Sequence, residues 1–155
     1  MNSDKIFALA DEQYELGNFE NALTLFLDAA ELGDSSAMSR LACMYADGEG
    51  VAPSSEKSLD WDLKAIDLGN DSSMLNIGIT YRGLGDLVAA RRWFEKSLAS
   101  GNGEAALELG KFHAFDNKNI RHYLNIAATH DSISELSREE AIKRIKRLKP
   151  REEEH

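Results

Sequence analysis

Three glycines, Gly33, Gly69 and Gly101, stand 36 and 32 residues apart, and the residues around them repeat. Around the first lies Leu27-Asp28-Ala29-Ala30-Glu31-Leu32-Gly33-Asp34-Ser35-Ser36-Ala37-Met38. Around the second lies Leu63-Lys64-Ala65-Ile66-Asp67-Leu68-Gly69-Asn70-Asp71-Ser72-Ser73-Met74, which matches in chemistry without a gap. Glu95 to Ala106 follows the same plan more loosely. Downstream, Leu41, Ile77 and Leu109 coincide, as do the small residues Ala42, Gly78 and Gly110 and the rings Tyr45, Tyr81 and His113. Upstream, Ala22-x-x-Leu25, Ser58-x-x-Trp61, Ala90-x-x-Trp93 and Ile120-x-x-Tyr123 coincide. About four copies of a unit this short cannot each hold a core. They must stack on one another.

Each copy reads as two helices. Met74, Ile77, Gly78 and Tyr81 show three- and four-residue spacing, and Ala90, Trp93, Phe94, Ser97 and Leu98 repeat it on the second helix. Turns such as Gly17-Asn18 and Gly85-Asp86 separate the two, and Asp34/Ser35, Asn70/Asp71 and Asn102 are candidate caps for the helices that follow. Only Pro53 and Pro150 interrupt, and runs of Val, Ile and Thr are missing, so strand propensity is weak. The expected helices are 4–16, 19–32, 35–46, 55–68, 71–84, 87–100, 103–114, 118–129 and 138–148. The ninth is expected to start at the capping box Ser137-x-x-Glu140. The chain thus reads as one all-α solenoid domain over 1–149. Its repeats are near 3–34, 35–70, 71–102 and 103–131, followed by a capping helix near 138–148 and a charged tail, 150–155.

These residues resemble the tetratricopeptide superfamily, in particular its Sel-one-like branch. The second repeat carries the likeness most clearly, as Leu41-Ala42-x-x-Tyr45-x-x-Gly48-Glu49-Gly50-Val51, then Lys57-Ser58-x-x-Trp61, then Lys64-Ala65-Ile66-x-x-Gly69. The first and third look more like plain tetratricopeptide repeats, and the fourth replaces the glycine turn with Asp116-Asn117-Lys118. The resemblance covers about residues 4–130. It implies a right-handed superhelix whose first helices line a concave groove, and a scaffold or adaptor in place of an enzyme. Family groove positions fall on Phe7, Asp11, Tyr14 and Glu15, then on Ser36, Ser39, Cys43 and Asp47. They continue at Leu75, Ile79 and Arg82, then at Glu104, Leu107, Lys111 and Phe115. Leu75, Ile79 and Arg82 sit at i, i+4 and i+7, off the face of Met74, Ile77 and Tyr81. Leu75, Ile79, Leu107 and Phe115 have two readings: an apolar groove wall, or packing on the next repeat or the terminal helix.

The formal charge is −9, but residues 137–155 carry seven Lys/Arg and five Asp/Glu, which leaves −11 on the body by difference. Such a body repels phosphate backbones and favours a basic protein partner. No nucleic-acid or membrane partner is expected. On the terminal helix, Ala141, Ile142, Ile145 and Leu148 form an apolar stripe, with Lys143, Arg144, Lys146, Arg147 and Lys149 opposite. That basic face reads as a solvated cap, with RNA or membrane binding as the rival.

No catalytic or metal constellation emerges. His113, His122, His130 and His155 have no ligand spacing, and Cys43 is the only thiol. Gly48-Glu49-Gly50 lacks the third glycine and the lysine of a phosphate loop. No enzyme activity, cofactor or metal is expected. The single cysteine and the acid in Met1-Asn2-Ser3-Asp4-Lys5 fit a cytoplasmic protein. The expectation is a scaffold that binds a partner protein through its concave surface. The alternative is a bacterial immunity protein that neutralises a cognate toxin. Sequence leaves the partner's identity and the oligomeric state open.

Overall fold

A computed structural model describes residues 2–112 and 116–148. His113, Phe115 and the tail from Lys149 lie outside the described residues. Among those described, the chain is all helix: α1 (Ser3–Glu15), α2 (Phe19–Glu31), α3 (Ser35–Asp47), α4 (Ser55–Asp67), α5 (Ser73–Gly83), α6 (Leu87–Ala99), α7 (Glu104–Gly110), α8 (Asn117–Thr129) and α9 (Glu135–Arg147). The chain forms two compact units, Met1–Ala90 and one beginning at Arg91, with the boundary inside α6.

In the first unit, α1 packs on α2, α2 on α3, α3 on α4 and α4 on α5, and α3 also meets α5. The core between them is built from small residues, with Ala10, Ala22, Ala29, Ala30, Ala37 and Ala65 buried beside Phe26, Met38, Leu41 and Met44. Alanine at these positions lets helix axes approach, so a few large side chains fill what remains. Asp34 caps α3, accepting from the Ser36 and Ala37 amides at 2.9 and 3.0 Å. Asn70 does not cap α5. Its carboxamide instead donates to the Ser35 carbonyl at 3.0 Å, which ties the end of one repeat to its beginning. Helix α5 starts at Ser73, two residues later than the spacing suggests, with Ser72 before it making no side-chain cap. Gly50 has φ +69°, and a Cβ there would stand 2.6 Å from the Phe19 carbonyl carbon. The long loop of the second repeat thus presses on the start of α2, and only glycine fits.

In the second unit, α8 packs on α7 and α9 on both. Leu107, Leu124, Ala127, Ile133 and Ala141 form its core with Ala106. A Cβ on Gly110 would stand 2.5 Å from Leu124 Cδ2, so the missing side chain is what lets α8 close on α7. Gly103 holds the cap position of α7, and Asn102 before it accepts from the Glu104 amide at 3.1 Å.

Helix α9 begins at Glu135, three residues before the expected start at 138. Ser134 is the cap, accepting from the Ser137 amide at 3.2 Å. The preceding turn decides this: the Ser134 amide donates to Glu104 Oε1 at 2.8 Å, and Arg138 donates to the His130 carbonyl at 3.0 Å. Of the expected apolar stripe, Ala141 is buried and Ile145 and Leu148 partly so, while Ile142 stays 39% exposed. Lys143, Lys146 and Arg147 are exposed, and Arg144 pairs with Glu140 at 2.9 Å.

Candidate functional site on the first-helix face

Helices α1, α3 and α5 are the first helices of their repeats, and the residues expected to meet a partner sit along them. Their chemistry is linked from helix to helix. Asp11 of α1 accepts from Arg40 of α3 at 2.8 Å, and the Arg40 guanidinium lies 5.3 Å from the centre of the Tyr14 ring. The Tyr14 hydroxyl donates to Glu49 at 2.7 Å. That hydrogen bond to a carboxylate, with burial and the Glu49 charge adding to it, pushes the phenol up to about 12. Phe7 is half-buried, its ring 5.5 Å from that of Phe26. Glu15 and Asp47 are exposed.

One repeat along, Asn76 of α5 reaches across to α3 and α4. Its carboxamide nitrogen lies 3.2 Å from Ser39 Oγ, 3.3 Å from Asp62 Oδ1 and 3.6 Å from Cys43 Sγ. Asp62 itself is fully buried, at 0% exposure. Burial pushes its carboxyl up to about 7, against the opposing effects of Ser73 and Asn76. Its Oδ2 and the buried Ser73 Oγ complete no hydrogen bond. Burial, then Asp62 and Asp47, push the Cys43 thiol up to about 11. A thiol held so high is protonated near neutrality and a poor nucleophile.

Farther along α5, Ile79 is 42% exposed, Leu75 is half-buried, and Arg82 is half-buried and engaged with neighbours. The second unit differs. Leu107 is 2% exposed and belongs to the core that α8 and α9 close. Lys111 pairs with Glu108 at 2.9 Å and Glu140 at 3.7 Å. Glu104 is occupied at the start of α9, and Phe115 lies outside the described residues. So the expected positions gather on α1, α3 and α5, and Leu107 is not available to a partner.

Asp62 is the residue that sequence reasoning passed over. Its signal was the residue after each aligned ring or leucine: Phe26, Asp62, Phe94 and Leu124. Three are apolar and buried, and the fourth is an acid at the same depth.

A repeat-family model matches three stretches, residues 10–34, 35–70 and 72–102, each described as a Sel1 repeat. The chain belongs to the Sel1 repeat family. Sel1 repeat proteins generally act as non-catalytic scaffolds in protein–protein interaction. No curated protein sequence matches the chain. Among solved structures it is similar to a Sel1 repeat protein from Oxalobacter formigenes, at 22% identity and TM-score 0.67 over 80% of this chain and 55% of that one. It is also similar to c5321, a protective antigen of uropathogenic Escherichia coli displaying an SLR fold, at 19% identity and TM-score 0.70 over 92% and 37%. The chain thus spans about half of the first structure and over a third of the second, and the likeness is one of fold. The immunity protein Pa5087 from Pseudomonas aeruginosa aligns at 14% identity over 96% and 86%, but its TM-score of 0.39 is too low to bear on fold or role. Among the described residues, no three His, Cys, Asp or Glu side chains converge as a metal set, and no helix is long and apolar enough to cross a membrane.

Proposed function

We propose that this Sel1 repeat chain is a scaffold that seats a basic partner protein on the face built by α1, α3 and α5. The observation that carries the reading is the division of that face into two chemistries. Ile79, Leu75 and Phe7 offer apolar surface that the unit's own core leaves partly open. Asp11 and Glu15 of α1 and Asp47 and Glu49 at the end of α3 add carboxylates, of which Asp11 is matched by Arg40 and Glu49 accepts from Tyr14. Tyr14, Ser39, Cys43 and Arg82 complete the surface. Carboxylates steer a basic partner, and apolar surface on the same set of helices then holds it by burial. The single thiol fits a reducing cytoplasm, the compartment we assign.

The test is partner capture by the intact chain and by an L75A/I79A variant, with partners quantified by mass spectrometry. Helicity is expected to be unchanged and capture of the specific partner to fall at least about tenfold. Equal capture by the variant overturns the surface. A narrower form of the reading, a toxin-neutralising immunity protein, draws on the −11 body, which would speed capture of a basic toxin. Protection of cells that co-express the cognate toxin decides it, and unprotected cells remove it.

A further inference from the structure

The second repeat departs from its neighbours at two aligned positions that meet in space. In repeat one, Phe7 of the first helix and Phe26 of the second bring their rings to 5.5 Å. In repeat four the same positions hold Leu107 and Leu124, packed in one core. In repeat two they hold Ser39 and Asp62. An aromatic pair has been replaced by a hydroxyl and an acid, and the carboxamide of Asn76 bridges them.

The hydrogen-bond inventory of this spot does not close. Asn76 has two N–H donors facing three acceptors, Ser39 Oγ, Asp62 Oδ1 and Cys43 Sγ, at 3.2 to 3.6 Å. Asp62 Oδ2, on a residue with 0% exposure, has no partner, and neither does the hydroxyl of Ser73 beside it. The hydroxyls of Ser39 and Ser73 and the Cys43 thiol are neutral donors, and the groups acting on the Asp62 carboxylate, Ser73 and Asn76, bring no positive charge to a place where an unpaired acid is costly. The field is negative as well. Asp47 and Glu49 add to the Asp62 charge felt at Cys43, and Arg40 opposes them. What the spot lacks is a donor with positive charge.

We infer that Ser39, Cys43, Asp62 and Asn76 form a recognition pocket for the cationic end of a lysine or arginine side chain presented by the partner protein. The inference rests on the first-helix-face reading and gives that face its anchor. Ser39, Cys43 and Asn76 are partly open to the surface, and Asp62 lies beneath them. Entry takes a rotation of the Asn76 carboxamide, whose three contacts are all long ones. The incoming ammonium or guanidinium then donates to Asp62 and Ser39, which turns the unpaired acid into a charge-assisted pair. An aliphatic stem of such a side chain fits beside Leu75 and Ile79.

The test needs no natural partner. The 15N-labelled full chain is titrated at pH 8 with acetyl-Gly-Arg-Gly-amide, acetyl-Gly-Lys-Gly-amide and the uncharged acetyl-Gly-citrulline-Gly-amide, following the side-chain NH2 resonances of Asn76. The two cationic peptides are expected to give saturable shifts, with the citrulline peptide at least about tenfold weaker. The Asp62→Leu variant rebuilds the apolar position of the other repeats, and Asp62→Asn keeps the shape without the charge. Both are expected to stay folded and to lose the response, with Asp62→Leu melting above the parent. No saturable shift with either cationic peptide overturns the pocket, as does an equal response in Asp62→Leu. An Asp62→Leu chain that fails to fold, or an equal response to citrulline, also overturns it. If L75A/I79A leaves partner capture intact while the peptides still bind, the broader face is wrong and the pocket stands.

Discussion

Helices α2 and α4 do the same job in successive repeats, yet one buries Phe26 and the other Asp62 at the same position. Around Phe26 the neighbours are alanines and the Phe7 ring, so the first repeat is held by shape and apolar area. Around Asp62 they are Ser73, Asn76 and Cys43, so the second repeat carries a polar centre with a buried acid. The difference shows where stability has been given up. A solenoid shares its core between neighbours, and a weak repeat persists because the repeats beside it are strong. That is the setting in which a costly binding group can be kept.

The comparison breaks first at Phe26. Truncation to alanine is expected to cost about 3–5 kcal/mol, because the ring is fully buried and its alanine neighbours cannot collapse into the gap. Urea denaturation followed by circular dichroism measures it. A loss under about 1 kcal/mol would mean that the two positions are not equivalent.

Asp62→Leu is expected to act in the opposite direction and to depend on pH. The folded carboxyl titrates near 7 against an ordinary 3.8, so the native state keeps a proton that the unfolded chain has released. Stability therefore falls as pH rises from about 4 through 7, by about 4 kcal/mol at most, and levels off above that. The parent should lose about 2–3 kcal/mol between pH 5 and pH 8 by this route, and the leucine variant should not. Parallel melting curves for the two chains across that range would remove the strained acid.

Asn76→Ala sharpens the same contrast on a smaller scale. Removing the bridging carboxamide leaves Asp62 Oδ1 buried without a donor, an expected loss of about 1–3 kcal/mol at pH 8. The double variant with Asp62→Leu should lose far less than the sum of the single effects, since the acceptor has gone as well. Additive losses in the thermodynamic cycle would show that Asn76 acts through packing alone.

The glycine spacing and the three- and four-residue apolar rhythm were enough to place the helices, because both report local backbone needs. Gly33, Gly69 and Gly101 have φ of +86°, +87° and +100°. Asp34 was legible as a cap for the same reason, since its partners lie two and three residues on. Partners at a distance were not legible. Ser137 heads the capping box, yet Ser134 caps α9, because Ser134 bonds to Glu104, thirty residues away, and Arg138 to His130, eight residues away. Leu107 shares its register with Leu75, yet α8 and α9 cover it, a fact no spacing within α7 contains. Asp62 was visible only as one odd member of an aligned column, and its meaning depended on Asn76 arriving from the next repeat.

The smallest expected effect tests whether polar contacts on this face matter for stability at all. Arg40 pairs with Asp11 at 2.8 Å, and both side chains keep more than a third of their surface in water, at 39% and 37%. Water screens such a pair, and ordering two side chains offsets most of the attraction. The guanidinium also lies over the Tyr14 ring, which adds about 0.5–1 kcal/mol at an exposed site. Arg40→Ala is therefore expected to cost about 0.5–1.5 kcal/mol, less than Asn76→Ala, with the loss shrinking in high salt. The same substitution removes a positive charge set against Asp11, Asp47 and Glu49, so capture of a basic partner should strengthen as stability falls. A variant that loses several kcal/mol would place Arg40 among the groups that hold the repeats together. The divide between a shape-held first repeat and a polar, partner-facing second would then be drawn in the wrong place.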